Sequence, residues 1–142
     1  MIAIGIMLII FVVAVPNYRV YQRSRSLEKA YQELVADLRM AQEYAMSGKK
    51  PESCGVNTLQ GFYITYSGDP TSYRIRVRCG GYSTIKTVIL SDVTISNFGN
   101  IGFKPLGEGT TVAGGTNINI TLTQNVTGAT KTVTIDSGGE IH

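Results

Sequence analysis

Met1–Val15 reads MIAIGIMLIIFVVAV, and residues 16–48 continue it as PNYRVYQRSRSLEKAYQELVADLRMAQEYAMSG. The first segment has no charge and no strongly polar side chain. The second opens with Pro16, Asn17 and three arginines, Arg19, Arg23 and Arg25, and then places apolar residues at Leu27, Tyr31, Leu34, Leu38, Ala41 and Ala45. Those alternating intervals of four and three set one apolar stripe along a helix. Glu28, Lys29, Gln32, Glu33, Arg39, Gln42 and Glu43 fall mainly on the other sides. Gly48 suits a left-handed cap, Lys49 and Lys50 suit a helix C-terminus, and Pro51 prevents continuation. The expectation is one helix over 1–48, oily over 1–15 and amphipathic over 16–48, followed by a β-rich domain over 51–142.

At about 1.5 Å per residue the oily part spans roughly 22 Å, against a hydrocarbon core of about 30 Å. A membrane or filament-core helix, a secretory signal and a buried core helix all have apolar runs of this kind. No basic residue precedes the run and no small-x-small site follows it, unlike a secretory signal. The arginines just beyond it oppose burial. The membrane or filament-core reading is preferred, with Ile2, Ile4, Ile6, Leu8, Ile9, Phe11, Val12, Val15 and Pro16 as its residues.

Past Pro51 the period changes to two. Phe62, Ile64 and Tyr66 alternate with Tyr63, Thr65 and Ser67, and Ser67-Gly68-Asp69-Pro70 has turn chemistry. Tyr73, Ile75, Val77 and Cys79 alternate with Arg74, Arg76 and Arg78, a half-buried strand with an all-arginine outer face. A turn at Gly80-Gly81 follows, then strands at Thr84–Leu90, Val93–Phe98, Ile101–Lys104, Asn117–Thr123 and Lys131–Asp136. One helix over an antiparallel sheet, an α+β fold, is the natural architecture, because the helix stripe needs an apolar sheet face to cover.

Composition agrees with a β-rich, loop-rich domain: 142 residues, 16% charged, 16 glycines,. The net charge of +3 lies on the helix, since the six basic and six acidic residues of 51–142 balance. A generally basic domain surface for nucleic acid or membrane is not indicated. His142 is the sole histidine, the ten carboxylates are scattered, and no phosphate-cradling loop precedes a helix, so the expectation is no enzyme and no cofactor. Cys54, Cys79 and His142 show no zinc spacing, and no metal site is expected.

The string from Met1 to Tyr18 resembles the N-terminal helix of type IV pilins and type II secretion pseudopilins. In that family a leader ends in Gly, Phe-Thr-Leu-Ile-Glu follows, and an apolar run closes with Pro, Asn or Thr, and an aromatic; Pro16, Asn17 and Tyr18 stand at that close. Aligned on Pro16, the family's mature chain starts about six residues upstream of Met1, bringing the apolar helix to roughly 32 Å. In-frame codons upstream are therefore expected to encode a basic leader, a Gly-Phe-like processing site and a glutamate. Leu38-Arg39-Met40-Ala41 with Ala45, Ile101-Gly102-Phe103-Lys104-Pro105-Leu106-Gly107, and Val133-Thr134-Ile135 with Gly138-Gly139-Glu140-Ile141 are similar to the minor pseudopilin H and fimbrial-T family.

The resemblance implies a pilin-like long N-terminal helix packed on the sheet, in a minor pilin or pseudopilin. Such a subunit is single-pass in the bacterial inner membrane, with its C-terminal domain outside the cytoplasm, and then enters a periplasmic or extracellular filament. Implied partners are other subunits through helix packing, the inner membrane, and a prepilin peptidase acting on the leader. A DNA-binding minor pilin and a major pilin are the alternatives. Arg19, Arg23 and Arg25 by themselves would mark a cytoplasmic side, and only a basic leader reverses that count. Export implies an oxidising compartment, where Cys54 and Cys79 would pair and close a loop of about 26 residues; in a reducing one they would be two buried thiols. Arg74, Arg76 and Arg78 are candidates for subunit docking or, less favoured, nucleic-acid contact with Tyr63 or Tyr82 stacking.

Overall fold

In the computed structural model the first element is α1 (Ile2–Met46), with side chains described from Tyr18, so the described structure is residues 18–142. The residues assigned to a membrane or filament core, Ile2 to Pro16, lie outside the described residues. The helix ends where Gly48 adopts φ +64°, the left-handed cap expected of it,. A 3-10 turn (Glu52–Cys54) follows, then β1 (Gly61–Tyr66), β2 (Ser72–Cys79), β3 (Gly81–Ile89), β4 (Val93–Ile95), β5 (Asn100–Phe103), a second 3-10 turn (Pro105–Gly107), β6 (Asn117–Gln124) and β7 (Thr130–Asp136).

The strands form two antiparallel sheets, where the sequence suggests one. The first has the order β3-β2-β1-β5 and the second β4-β6-β7. The chain changes sheets after β3, where Asp92 takes φ +61°. Two backbone bonds hold this crossing to the β1–β2 turn: Leu90 N–H donates to Thr71 O and Ile95 N–H to Pro70 O, both at 2.7 Å. Expected as Val93–Phe98, β4 stops at Ile95 because the Ser96 hydroxyl and amide both bond Thr121. Phe98 is buried all the same, its ring edge-on to Tyr66 at 6.3 Å.

Alternation puts Phe62, Ile64, Tyr73, Ile75, Val77, Ile101 and Phe103 on the inner face of the first sheet. Val93, Ile95, Ile120, Leu122, Val133 and Ile135 line that of the second. The helix covers both, burying Leu27, Ala30, Leu34, Leu38, Ala41 and Ala45 in one shared core, with its contacts centred on β1 and β6. At about 25 cal/mol per Å² of apolar surface removed from water, this stripe is the main term joining helix to sheets.

Acidic residues flank the stripe on both sides, and each flank meets a lysine from a sheet edge. Lys86 of β3 bonds Asp37 at 3.0 Å and lies 3.7 Å from Glu33. Lys131 of β7 pairs with Glu28 and lies 4.8 Å from the Tyr31 ring centroid. Near the helix C-terminus, Gln42 donates to Gly139 O at 3.0 Å. These polar contacts fix the rotation of the helix about its axis, which apolar burial alone leaves loosely specified. The C-terminal segment turns back so that Ile141 bridges Ile135 beside β7.

Candidate interaction surfaces

The helix stands clear of the domain at the end nearest the apolar run. No residue from Tyr18 to Ser26 is buried, and Tyr18, Val20 and Tyr21 are 63%, 58% and 54% exposed. The Arg25 guanidinium lies over the Tyr21 ring at 4.7 Å. Burial starts at Leu27. A described segment of more than two turns thus projects from the core, with apolar and aromatic side chains facing outward.

The second surface is the outer face of the first sheet. Arg74, Arg76 and Arg78 share it, as their alternation requires, while Tyr73, Ile75, Val77 and Cys79 point inward. Antiparallel register sets Thr87, Thr84 and Tyr82 of β3 opposite the three arginines in turn. A β-bulge between Ile75 and Arg76 lets β3 keep both Lys86 and Val88 on the inner side and Tyr82 on the outer,. Tyr82 lies across the sheet. The Arg76 and Arg78 guanidinium groups sit 4.6 and 5.3 Å from its ring centroid, Tyr63 meets it edge-on at 5.3 Å, and Asn100 donates to its hydroxyl. Among the described residues none of the three arginines pairs with a carboxylate.

Tyr63 and Thr65 belong to the outer face, yet both are buried. For Tyr63 the reason is Gly102 on β5, opposite it: a Cβ there would lie 2.7 Å from Tyr63 Cδ1, so only glycine leaves room for the ring to lie down on the sheet.

Between helix and sheet lies a buried polar group that periodicity did not single out. Tyr73, fully buried, donates its hydroxyl to Asp37 Oδ2 at 2.8 Å, and Lys86 Nζ donates to both Asp37 oxygens at 3.0 and 3.1 Å. A carboxylate this deep is tolerated because three donor contacts replace water. Burial, reinforced by the Asp37 charge, raises the Tyr73 hydroxyl well above the phenol range. Unfolded tyrosine ionises near pH 10 while the folded residue keeps its proton, so this contribution is intact below about pH 10 and declines as pH rises further. The slope approaches about 1.4 kcal/mol per pH unit. Tyr73→Phe should remove that component. Denaturation curves between about pH 8 and 11 should fall more steeply for the parent than for Y73F; parallel curves would refute it.

Cys54 and Cys79 form a disulfide, Cα–Cα 5.3 Å, pinning the first 3-10 turn to the end of β2. Free cysteines are absent among the described residues. A further group near the C-terminus escaped a search confined to cysteine and histidine spacing. Donor atoms of Asp136, Glu140 and His142 lie within 4.8 Å of one another. Asp136 is half-buried and already accepts the Glu140 N–H at 2.8 Å, and the other two side chains are exposed. Its geometry is that of a turn closed by its own carboxylate.

The described surface offers shallow grooves, one of them lined by Leu59, Gln60, Tyr63, Arg78, Lys104, Pro105, Leu106 and Glu108. Leu106 is 78% exposed and adopts φ +55°, a conformation unusual for leucine,. No helix among the described residues is long and apolar enough to cross a membrane; Met1–Val15 lies outside them. No family model, curated protein or solved structure matches the chain.

Proposed function

We propose that this chain is a minor pilin or pseudopilin, a structural subunit that assembles into or caps a filament and catalyses no reaction. The observation that carries this is the projecting helix. From Leu27 onward α1 is bound to both sheets, whereas residues 18–26 leave the domain with Tyr18, Val20 and Tyr21 exposed, directly after the apolar run. A helix that leaves its own domain with apolar side chains outward needs other surfaces to cover it. A bilayer supplies them before assembly, and the helices of neighbouring subunits supply them afterwards. In this scheme the domain lies outside the cytoplasm, where the Cys54–Cys79 disulfide persists,. The resemblance in 1–18 favours the same assignment, and a processing peptidase acts if a leader precedes Met1.

Capture of DNA is the weaker alternative. Tyr63 is buried, and the exposed Tyr82 ring already packs against the Arg76 and Arg78 guanidinium groups, so a base would have to compete with them for it,. The test is fractionation of cells expressing the full gene together with its neighbouring genes. The chain should be found in the inner membrane and in filaments sheared from the envelope, and a photo-crosslinker at Tyr18 or Tyr21 should link it to other filament subunits. Recovery in the cytoplasmic fraction alone would overturn the assignment.

A further inference from the structure

The first sheet ends on one side in β3, which bonds only to β2 and leaves its other edge open. This edge strand is long, nine residues with the sequence GYSTIKTVI, and contains no proline and no acid. Ile85 and Ile89 are 43% and 76% exposed on it. A long edge with exposed isoleucines is the kind that pairs with another strand, because its outward N–H and C=O groups have no partner in the sheet. The bulge at Ile75/Arg76 and the inward lysine Lys86 limit indiscriminate pairing without covering the edge,.

The charge beside the edge says what kind of strand fits. β2 and β3 together carry four basic residues and no acidic one. Lys86 is taken by Asp37, which leaves Arg74, Arg76 and Arg78 without carboxylates among the described residues. Thr87 and Thr84 are all that separates Arg74 and Arg76 from the open edge in their rows. A strand added beside β3 would lie about 10 Å from β2, a distance an arginine and a glutamate span together over a threonine. Alternate residues of an extended strand are about 6.5–7 Å apart, the same repeat as the arginines.

We propose that the open edge of β3 takes up an extended segment of a partner protein with acidic residues at alternate positions, which joins the first sheet as a fifth strand. Backbone hydrogen bonds to β3 supply the attachment, and the arginine row selects an acidic strand over a neutral or basic one. This surface goes beyond the filament assignment and does not require it: the edge and the arginines belong to the domain, whatever the helix does.

The experiment uses the full chain, held in detergent, and a fluorescent nine-residue peptide of alternating glutamate and threonine. Two control probes are the same peptide N-methylated on the amides that would face β3, and a single-stranded oligonucleotide. The alternating peptide should bind and slow hydrogen exchange in Gly81–Ile89,. N-methylation should weaken binding by about tenfold or more, since each blocked amide removes a backbone bond. The triple variant R74A/R76A/R78A should also lose about tenfold, while R74K/R76K/R78K, which keeps the charges, stays within about threefold of the parent and so separates charge loss from misfolding. Equal binding of the N-methylated peptide, or no peptide binding at all, would overturn the proposal. So would oligonucleotide binding that is tighter than the peptide's and lost in the alanine variant, which would make the face a nucleic-acid surface.

Discussion

Leu38→Ala is expected to destabilise the domain by about 2–5 kcal/mol, and Leu34→Ala by a similar amount. Both side chains are fully buried on the helix stripe, in the core that the two sheets share. Neither can be replaced by movement of one sheet alone: closing the void on one side would pull the helix off the other, so little relaxation is available. Val35, half-buried on the same helix, provides the comparison, and Val35→Ala should cost clearly less. Equilibrium urea curves are the measurement. The midpoint should fall at unchanged slope, as for a loss of stability without a change in the unfolded state. A Leu38→Ala midpoint within error of the parent would mean that the helix is not what joins the sheets.

The stripe that makes this prediction was legible in the sequence because burial on one helix face imposes a period, and Leu27, Leu34, Leu38, Ala41 and Ala45 are buried as that period requires. The same holds for β2, whose inner residues and outer arginines follow strict alternation. Two features were not legible. Division into two sheets depends on a crossing held by backbone groups, Leu90 to Thr71 and Ile95 to Pro70, and backbone bonds leave no trace in side-chain pattern. The burial of Asp37 depends on a lysine and a tyrosine 49 and 36 residues away. On a helix wheel it reads as one more polar residue beside the stripe. Nor does β3 announce its bulge: Tyr82, Lys86 and Val88 have the spacing of one face, and only the register shift turns Tyr82 to the other,.

The candidate surfaces divide in the same manner. Alternation picks out Arg74, Arg76 and Arg78, and the structure adds what alternation cannot, namely that Tyr82 lies across Arg76 and Arg78 and that no carboxylate among the described residues answers the three. Tyr82, 41% exposed, packs on two of these guanidinium groups, so any base stacked on it would share the ring with them. An aromatic beside arginines in sequence is as easily an internal packing partner for them as a site for a base.

Removing the disulfide by Cys54→Ala with Cys79→Ala should cost about 3 kcal/mol. The sequence separation is 25 residues, and the loop encloses β1 and nearly all of β2, so the cross-link confines a large part of the unfolded chain,. In the folded state the loss should be uneven. The 3-10 turn at Glu52–Cys54 and the residues leading to β1 keep only a few backbone bonds, Asn57 to Cys54 and Gln60 to Arg78 among them, once the bridge is gone. Sheet β4-β6-β7 has its own ladder and does not touch the bridge. Hydrogen exchange should therefore quicken most in residues 52–60, beyond what global destabilisation imposes on β6 and β7. Urea denaturation of the double variant and of the parent under reductant should agree, because both lack the same constraint. A difference from the oxidised parent below about 1 kcal/mol would sink the prediction, since chain entropy for a loop of this size demands more. The result also bears on where the domain folds. If its stability depends on the bridge to this degree, a reducing compartment leaves the domain short of that contribution and an oxidising one supplies it.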